Sequence, residues 1–203
     1  MTEHAPTVDI YVDPACPFGW VTSRWLAGVA ERRGVEVTWH QMSLAVLNDG
    51  REMDGAHAER MVTSRHAGRL LAATADLVPA KDLYLALGRR LHTEGLALTD
   101  DVAAAALTEC GLDSASTTAM YDDRWDDAVA EAHRRSQEAL GGTGGCPITV
   151  VSGRAFFGPV LTEIPSTDEA DRLFDGLVAL SDAPAFAQME RPRVGPPKLE
   201  EAA

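Results

Sequence analysis

The stretch DPACPFGW, residues 13–20, decides the fold of this chain. Residues 8–12 before it are rich in β-branched and aromatic types, and residues 17–33 after it have helical character. Pro17 suits a first helical position, where its missing N–H leaves no bond unmade. Cys16 therefore lies where unpaired backbone N–H groups and a helix dipole lower a thiol pKa. We predict a reactive Cys16 thiolate; a buried structural cysteine is the alternative.

Length and charge limit what the chain does. Its 203 residues, 45% of them hydrophobic, suit one domain or one domain with an insertion. The net charge of −13 argues against nucleic acid or an anionic membrane surface as partner, and solubility alone also explains this charge. No apolar stretch approaches the roughly 20 residues of a spanning helix. The first residues show no signal peptide, so we expect a cytoplasmic protein.

The cysteines and histidines do not form a metal-binding pattern. Cys16, Cys110 and Cys146 lack the paired spacing of a zinc site, and the six histidines are scattered along the chain. In a reducing compartment, three cysteines do not make a disulfide scaffold. We therefore expect no structural metal, and we expect Cys110, at a helix end, to be a core thiol.

A strand–helix–strand unit opens the chain. Gly34 suits the left-handed position that ends a helix, and residues 35–40 then alternate apolar and polar side chains, as a second strand does. Two strands joined through a helix are expected to be parallel.

The middle of the chain is helical. From about residue 55 to residue 140, the sequence predicts a bundle of four or five helices, including helices over residues 99–110 and 119–140. The following apolar residues recur there at helical spacing: Met61, Leu70, Leu71, Leu77, Leu83, Leu87 and Leu91.

The sequence returns to strand character after the glycine-rich residues 141–145. Residues 148–151 and 155–157 are joined by Ser152-Gly153 and predict a β-hairpin. A helix over residues 166–180 follows, and the tail from Pro192 is expected to be poorly ordered or docked in extended form.

The order β–α–β, helical insertion, β–β–α predicts an α/β protein with a thioredoxin fold and an α-helical domain inserted after the second strand. The expected division is a thioredoxin-like domain over residues 1–50 and 141–190, an inserted helical domain over residues 51–140, and an extended tail over residues 191–203.

These features resemble the DsbA-like superfamily and, within it, the actinobacterial mycothiol-dependent nitroreductase-like proteins. The resemblance covers nearly the whole chain, so it is specific for the fold and less specific for the substrate. The matching stretches are residues 13–14, 16–17, 20–25, 42–48, 90–92, 146–147 and 156–161.

The resemblance implies a cleft around the reactive cysteine. It implies that Pro147 follows a cis peptide bond and that its loop faces Cys16. It also implies that Asn48 and His92 line the substrate cleft, although a packing role for His92 is equally open. We expect the following to complete the binding set, with the two aromatic residues forming an apolar wall: Pro17, Phe18 and Trp20.

One position departs from the family pattern. The resemblance implies a Cys-x-x-Cys motif, but Gly19 occupies the place of the second cysteine. Three possibilities follow: a low-molecular-weight thiol resolves the adduct on Cys16, another cysteine does so, or no redox cycle occurs. Cys146 is the one internal substitute that this fold brings opposite Cys16, and a small residue lining the cleft is its alternative role.

Three functions therefore remain open. The first is a thiol-dependent oxidoreductase that acts on a small molecule or a disulfide, with mycothiol or Cys146 resolving the adduct and no bound cofactor. The second is a cofactor-free isomerase or thiol transferase, related to chromene-carboxylate isomerases and kappa-class transferases. Its reaction has no net redox step, and natural-product biosynthesis is the setting that we keep open for it. The third is a non-catalytic binding module. A homodimer is the assembly that we keep open.

Overall fold

Four short strands form one mixed sheet in the computed structural model, which describes residues 6–199. The strands are β1 (Val8–Val12), β2 (Val37–Gln41), β3 (Ile148–Val151) and β4 (Arg154–Phe157). Their order is β2–β1–β3–β4, with β1 parallel to β2 and antiparallel to β3, and with β3 antiparallel to β4. Because β1 is an interior strand, the residues that follow it lie near the middle of one edge of the sheet.

Along the chain, α-helices occur before, within and after the helical insertion. They are α1 (Pro17–Arg33), α2 (Leu44–Leu47), α3 (Gly55–Thr74), α4 (Ala80–Gly88), α5 (Asp100–Glu109), α6 (Asp126–Leu140) and α7 (Thr167–Ser181). A π-helix (Arg89–Thr93) continues α4, and two 3₁₀-helices (Ser114–Tyr121 and Asp123–Trp125) precede α6. The order confirms the expected α/β thioredoxin fold of the DsbA-like kind, with a helical insertion between β2 and β3.

Two hydrophobic clusters hold these parts together. Ile10 of β1 and Trp25 and Leu26 of α1 are fully buried in the first cluster, and α7 adds Phe174. The Trp25 indole N–H also donates to the carbonyl of Ala170 over 3.0 Å, which fixes α7 against α1. The second cluster lies within the insertion and contains Leu70, Leu83, Leu87, Leu107 and Met120.

A nearly buried arginine links two helices of the insertion. The guanidinium of Arg69 on α3 donates to both carboxylate oxygens of Asp126 over 2.7 and 2.8 Å, and to the carbonyl of Met120 over 3.2 Å. Arg69 has only 9% of its surface exposed. These partners therefore stabilise its buried charge and accept hydrogen bonds from its N–H groups.

The predicted helix over residues 119–140 is too long at its N-terminal end. Two 3₁₀-helices occupy that region, and α6 begins only at Asp126. Carboxylates of Asp113 and Asp122 accept from the backbone N–H groups of Ala115 and Arg124, and such local bonds favour short turns over a continuous helix.

Leu77 is also a correction. We expected it on the apolar face of a helix, but α3 ends at Thr74, and Leu77 lies in the turn that follows with 67% of its surface exposed.

The predicted second strand begins two residues later than expected. The N–H of Val35 still bonds to the carbonyl of Ala30 at the helix end, so β2 begins at Val37. In the confirmed hairpin, Ser152 and Gly153 both have positive φ.

The end of the described tail contacts the rest of the chain, whereas residues 191–196 are exposed. The N–H of Lys198 donates to the carbonyl of Thr162 over 2.7 Å, Pro197 is buried, and Leu199 packs against the core of the sheet. The rest of the tail, residues 200–203, lies outside the described residues. The proposed domain boundaries remain a prediction.

None of the helices in residues 6–199 combines the length and apolar character that crossing a bilayer requires. Across the same residues, the acidic, histidine and cysteine side chains form no group of three or more that would suit a metal ion.

Candidate active site

Cys16 caps the N-terminus of α1 with its own sulfur. The N–H of Gly19 donates to Sγ of Cys16 over 3.2 Å, and Pro17 occupies the first helical position. The backbone N–H of Cys16 bonds to the carbonyl of Asp13 over 3.0 Å, which closes the turn between β1 and the helix. An N-cap acceptor prefers negative charge, so this geometry favours the thiolate of Cys16.

The loop before β3 brings Cys146 to the same place. Sγ of Cys16 lies 3.5 Å from the carbonyl oxygen of Cys146, and the N–H of Asp13 points at Sγ of Cys146 over 3.4 Å. The peptide bond between Cys146 and Pro147 is cis, as the resemblance implies. Both thiols are free and buried. Antiparallel pairing of β3 with β1 produces this meeting of residues 130 positions apart.

The surroundings shift the pKa values of the two thiols in opposite directions. A hydrogen bond from the Cys146 thiol lowers the pKa of Cys16, burial opposes this, and the Gly19 N–H lowers the Cys16 pKa further. Burial raises the pKa of Cys146 well above that of an ordinary thiol, and the hydrogen bond to Cys16 acts in the same direction. The Cys16 thiol is therefore the more acidic of the two, and Cys146 is the one that keeps its proton to higher pH.

Asp13 organises the loop beneath this pair, a role that the sequence analysis missed. Its carboxylate accepts from the N–H of Ala15 (2.8 Å), the N–H of Leu44 (2.6 Å) and the hydroxyl of Ser64 (2.5 Å). Burial raises the pKa of Asp13, and these three donors oppose that change. The bond to Ala15, two residues on, is an Asx-turn, and the Asp-Pro pair in the sequence is a signal for such a turn.

Trp20 and His92 join the insertion to the active-site loop. Their rings stack with centroids 5.9 Å apart, and the Nε2–H of His92 donates to the carbonyl of Pro14 over 2.7 Å. Burial lowers the pKa of His92 to about 4, so its imidazole is neutral at pH 7. His92 therefore lies at the site, where it supports the loop.

The sequence analysis also missed the π-helix that carries His92. A Cβ atom on Gly88, just before this helix, would lie 2.4 Å from Trp20, so only glycine permits the approach. π-Helical turns are rare and frequently occur at functional sites. The helical spacing of the apolar residues does not distinguish a π-turn from an α-turn, so the π-helix could not be predicted from this pattern.

The other predicted binding residues are Pro17 and Phe18 in the first turn of α1 and Asn48 at the end of α2. Pro17 and Phe18 follow Cys16 directly, and the Phe18 ring is partly buried, with the guanidinium carbon of Arg193 lying 5.1 Å from its centre. The amide of Asn48 donates to the carbonyl of Leu44 over 2.8 Å and closes the short helix α2. Its role in substrate binding remains a prediction.

Cys110 packs against the hydrophobic core of the insertion, as expected of a core thiol, but only part of it is buried. It lies at the C-terminal end of α5 and contributes to the wall of a cavity that also contains Trp20. Burial raises the pKa of Cys110, so it lacks the activation that the helix N-terminus gives to Cys16.

An activated cysteine at a helix N-terminus, a facing cis-proline loop and a helical insertion define a thioredoxin-fold protein of the DsbA-like class. Solved structures agree: the probable DsbA oxidoreductase SCO1869 from Streptomyces coelicolor is 18% identical, with a TM-score of 0.59 over 92% of this chain and 94% of that one. A 2-hydroxychromene-2-carboxylate isomerase is 14% identical, with a TM-score of 0.60 over 87% and 95%. At these identities, the likeness shows the fold alone.

The chain belongs to the Rv2466c-like family, described as mycothiol-dependent nitroreductase Rv2466c, whose model matches residues 15–191. It is therefore a member of a family of thiol-dependent oxidoreductases, as the resemblance implies. A curated relative, the uncharacterized protein Rv2286c of Mycobacterium tuberculosis (strain ATCC 25618 / H37Rv), is 30% identical over an alignment of 194 residues. The alignment covers 92% of this chain and 82% of that protein.

Proposed function

We propose that this protein is a thiol-dependent oxidoreductase in which the thiolate of Cys16 attacks a disulfide or an electrophilic small molecule. The observation that carries this proposal is the placement of Cys16 at the N-terminus of α1, with Sγ 3.2 Å from the Gly19 nitrogen and 3.5 Å from the carbonyl oxygen of Cys146. The pKa of Cys16 is lowered in this setting, and that of Cys146 is raised. Membership of a family named for its dependence on mycothiol supports a low-molecular-weight thiol as co-substrate.

The chemistry of a disulfide substrate balances with these two thiols. The Cys16 thiolate attacks one sulfur of R–S–S–R′, a mixed disulfide forms on Cys16, and R′–S⁻ leaves. Cys146 then attacks Sγ of Cys16, a Cys16–Cys146 disulfide forms, and R–S⁻ leaves with the Cys146 proton as R–SH. The substrate is reduced by two electrons and the protein is oxidised by two.

Mycothiol offers an alternative second step. Its thiolate attacks the substrate-derived sulfur of the mixed disulfide, which releases the Cys16 thiolate and forms a disulfide between mycothiol and the substrate fragment. This route needs no second cysteine in the protein. The two routes therefore differ in whether Cys146 forms a covalent bond.

Trapping of the mixed disulfide separates the two routes. We would treat the wild-type protein, Cys146→Ser and the matched control Cys110→Ser with the disulfide of mycothiol, and measure intact masses. If Cys146 resolves the adduct, Cys146→Ser alone accumulates one mycothiol on Cys16, and the wild type and control instead lose two hydrogens. Tandem mass spectrometry then maps the link to Cys16 and Cys146.

Other outcomes would contradict specific parts of the proposal. Equal turnover by Cys146→Ser and the wild type, with two free thiols after oxidation, would exclude internal resolution. Cys16→Ser with unchanged turnover would refute the oxidoreductase proposal as a whole, because both routes begin at the Cys16 thiolate.

Gly19 favours a second candidate function. Because the first turn of α1 carries no second thiol, Cys16 can also add reversibly to a conjugated double bond, allow rotation about it and leave. The protein would then be a cofactor-free isomerase or a thiol transferase. This candidate requires turnover without consumption of a reducing agent, and full activity of Cys146→Ser.

The setting of the reaction belongs to the same proposal. A catalytic thiol pair that starts its cycle reduced requires a reducing compartment, so we propose a cytoplasmic location and a small-molecule substrate. We also propose that the protein forms a homodimer. Light scattering of the purified protein measures its mass in solution and tests this directly.

A further inference from the structure

Three arginines beside the predicted binding residues make no ion pair with any acid within residues 6–199: Arg51, Arg60 and Arg193. Arginines elsewhere in the chain, such as Arg69 and Arg134, lie against carboxylates. The net charge of the chain is −13, so acidic partners are plentiful. The three guanidinium groups therefore keep their charge available to an anion from outside the chain.

Arg193 places its charge over the residue that follows the reactive cysteine by two positions. Its guanidinium carbon lies 5.1 Å from the centre of the Phe18 ring, within the range of a cation–π contact. The backbone N–H of Phe18 acts on the sulfur of Cys16, where it helps to lower the thiol pKa. Arg193 belongs to the exposed tail beyond residue 191, where the family match ends.

Arg60 lies on the other side of the active-site loop, on α3. Burial is the main cause of the lowered pKa of His92, and the charge of Arg60 lowers it further. His92 in turn donates to the carbonyl of Pro14, so Arg60 is within electrostatic reach of the loop that carries Cys16. Arg60 is itself partly buried. A cation in such a place gains stability when an anion lies against it.

Arg51 lies close to Arg60 through a shared neighbour. Nη1 of Arg51 donates to Oδ1 of Asn48 over 3.2 Å, and Nδ2 of Asn48 lies 3.7 Å from Sδ of Met61, the residue that follows Arg60. Asn48 is a predicted binding residue. Two of the three arginines therefore flank it.

The groups inside the loop do not cancel these charges. The Asp13 carboxylate is buried and already accepts three hydrogen bonds, and the His92 imidazole is neutral at pH 7. The N-terminus of α1 adds a partial positive charge at Cys16. The surroundings of the reactive thiol are therefore positive in a chain that is negative as a whole.

We propose that Cys16 reacts with a small molecule that carries a carboxylate, and that Arg51, Arg60 and Arg193 select this substrate. A guanidinium matches a carboxylate through two parallel N–H donors, which gives both affinity and orientation. The inference deepens the proposed function and rests on it for the reaction at Cys16.

Three symmetric disulfides of similar length and different charge test the selection. They are 3,3′-dithiodipropionate, with two negative charges, cystamine, with two positive charges, and neutral bis(2-hydroxyethyl) disulfide. Loss of the free Cys16 thiol, measured by peptide mass spectrometry after quenching, gives each rate constant. Division by the rate constant of the same disulfide with 2-mercaptoethanol removes differences in intrinsic reactivity.

The normalised rate should be about tenfold higher for 3,3′-dithiodipropionate than for cystamine at low ionic strength. This difference should nearly disappear in 1 M salt, where charges are screened within about 3 Å. The overall charge of −13 favours cystamine, so only local positive charge explains the expected order. Equal normalised rates for the three disulfides at low ionic strength would overturn the proposal.

Substitution of the arginines provides the second measurement. Arg60→Gln should slow the reaction with 3,3′-dithiodipropionate by about threefold to tenfold, with smaller effects of Arg51→Gln and Arg193→Gln. The neutral disulfide should react at the wild-type rate in all three variants, which also reports correct folding. Arg154→Gln is the matched control, because Arg154 is exposed next to the hairpin turn, whereas Cys146 precedes the other end of β3. Equal effects of Arg60→Gln and Arg154→Gln would contradict the proposal.

Suberate separates this inference from the proposed function, because it is a dicarboxylate of similar length without a disulfide. If suberate slows alkylation of Cys16 by iodoacetamide in the wild type but not in Arg60→Gln, and no disulfide reacts with Cys16, the carboxylate site stands and the oxidoreductase proposal fails. If the three disulfides react at equal normalised rates and suberate gives no protection, the oxidoreductase proposal stands and the arginines do not select the substrate.

Discussion

The thiol of Cys146 occupies the space that any side chain at position 19 would need. A Cβ atom on Gly19 would lie 2.6 Å from Sγ of Cys146 and 3.5 Å from Sγ of Cys16. The second thiol of the site therefore comes from the loop before Pro147 rather than from the turn that carries Cys16. Because glycine at position 19 has no side chain, it leaves the space that the thiol of Cys146 occupies.

Gly19→Ala should destabilise the protein only when Cys146 is present. Alanine in a helix interior normally gains up to about 1 kcal/mol over glycine, but overpacking against Cys146 should cost about 1–3 kcal/mol. In a Cys146→Ala background, which removes Sγ, Gly19→Ala should be neutral or stabilising. Urea unfolding of the four reduced proteins measures this coupling. Equal effects of Gly19→Ala in both backgrounds would show that the two residues do not interact.

Cys16 should be the first cysteine to react with iodoacetamide at pH 6–7, as the helix N-terminus of α1 favours its thiolate. Removing its hydrogen-bond donor with Cys146→Ala should move the pH profile of Cys16 alkylation to higher pH, because that bond is the main cause of the lowered pKa. Cys110→Ala serves as the control and should leave the profile in place. Labelling of Cys110 before Cys16 would contradict the assignment.

Acid should destabilise the protein through His92. The folded-state pKa of His92 is about 4 against 6.5 for a free imidazole, so its contribution is complete above pH 6.5 and is lost as the pH falls to about 4. The loss should be on the order of 2–3 kcal/mol. His92→Gln keeps a donor for the Pro14 carbonyl but should flatten this dependence, measured by urea unfolding at pH 7 and pH 4.

His57→Gln is the control for this measurement, because His57 is exposed on α3. Its profile should match that of the wild type. If both variants retain the full loss of stability on acidification, other groups cause it.

Arg69→Ala should cost about 2–4 kcal/mol, because it leaves the carbonyl of Met120 and the carboxylate of Asp126 without their charged donor. Arg134→Ala removes an arginine whose partners, Glu131 and Glu138, are exposed, and it should cost much less than Arg69→Ala because solvent screens these ion pairs. Urea midpoints of both variants give the comparison, and similar midpoints would show that the Arg69 contact is weak.

The sequence was sufficient for the fold because its main signals are local. A strand before Pro17, a glycine at the end of α1 and the hairpin turn at residues 152–153 each follow from backbone preferences of single residues. The meeting of Cys16 with Cys146 was foreseen through topology and family resemblance together. The predicted helix over residues 119–140 is interrupted by local hydrogen bonds such as the one from the Arg124 N–H to the Asp122 carboxylate. The spacing of apolar residues carries no information about such bonds.

The supporting contacts of the site were harder to predict, because they join distant segments. Asp13 meets Ser64, and Trp20 meets Gly88, only after the insertion has folded against the sheet. The cavity behind Trp20 likewise needs Leu199 from the tail. No periodicity within one segment encodes such approaches.

The π-helix at Arg89–Thr93 makes the length of this segment matter more than its composition. Deleting one residue there would restore ordinary α-helical winding and rotate everything that follows by about 100° relative to α4. His92 would then leave the carbonyl of Pro14, while α4 itself could remain intact. Substitutions along the exposed side of this turn can accumulate during divergence, whereas a single-codon deletion would remove the hydrogen bond that His92 makes to the loop carrying Cys16.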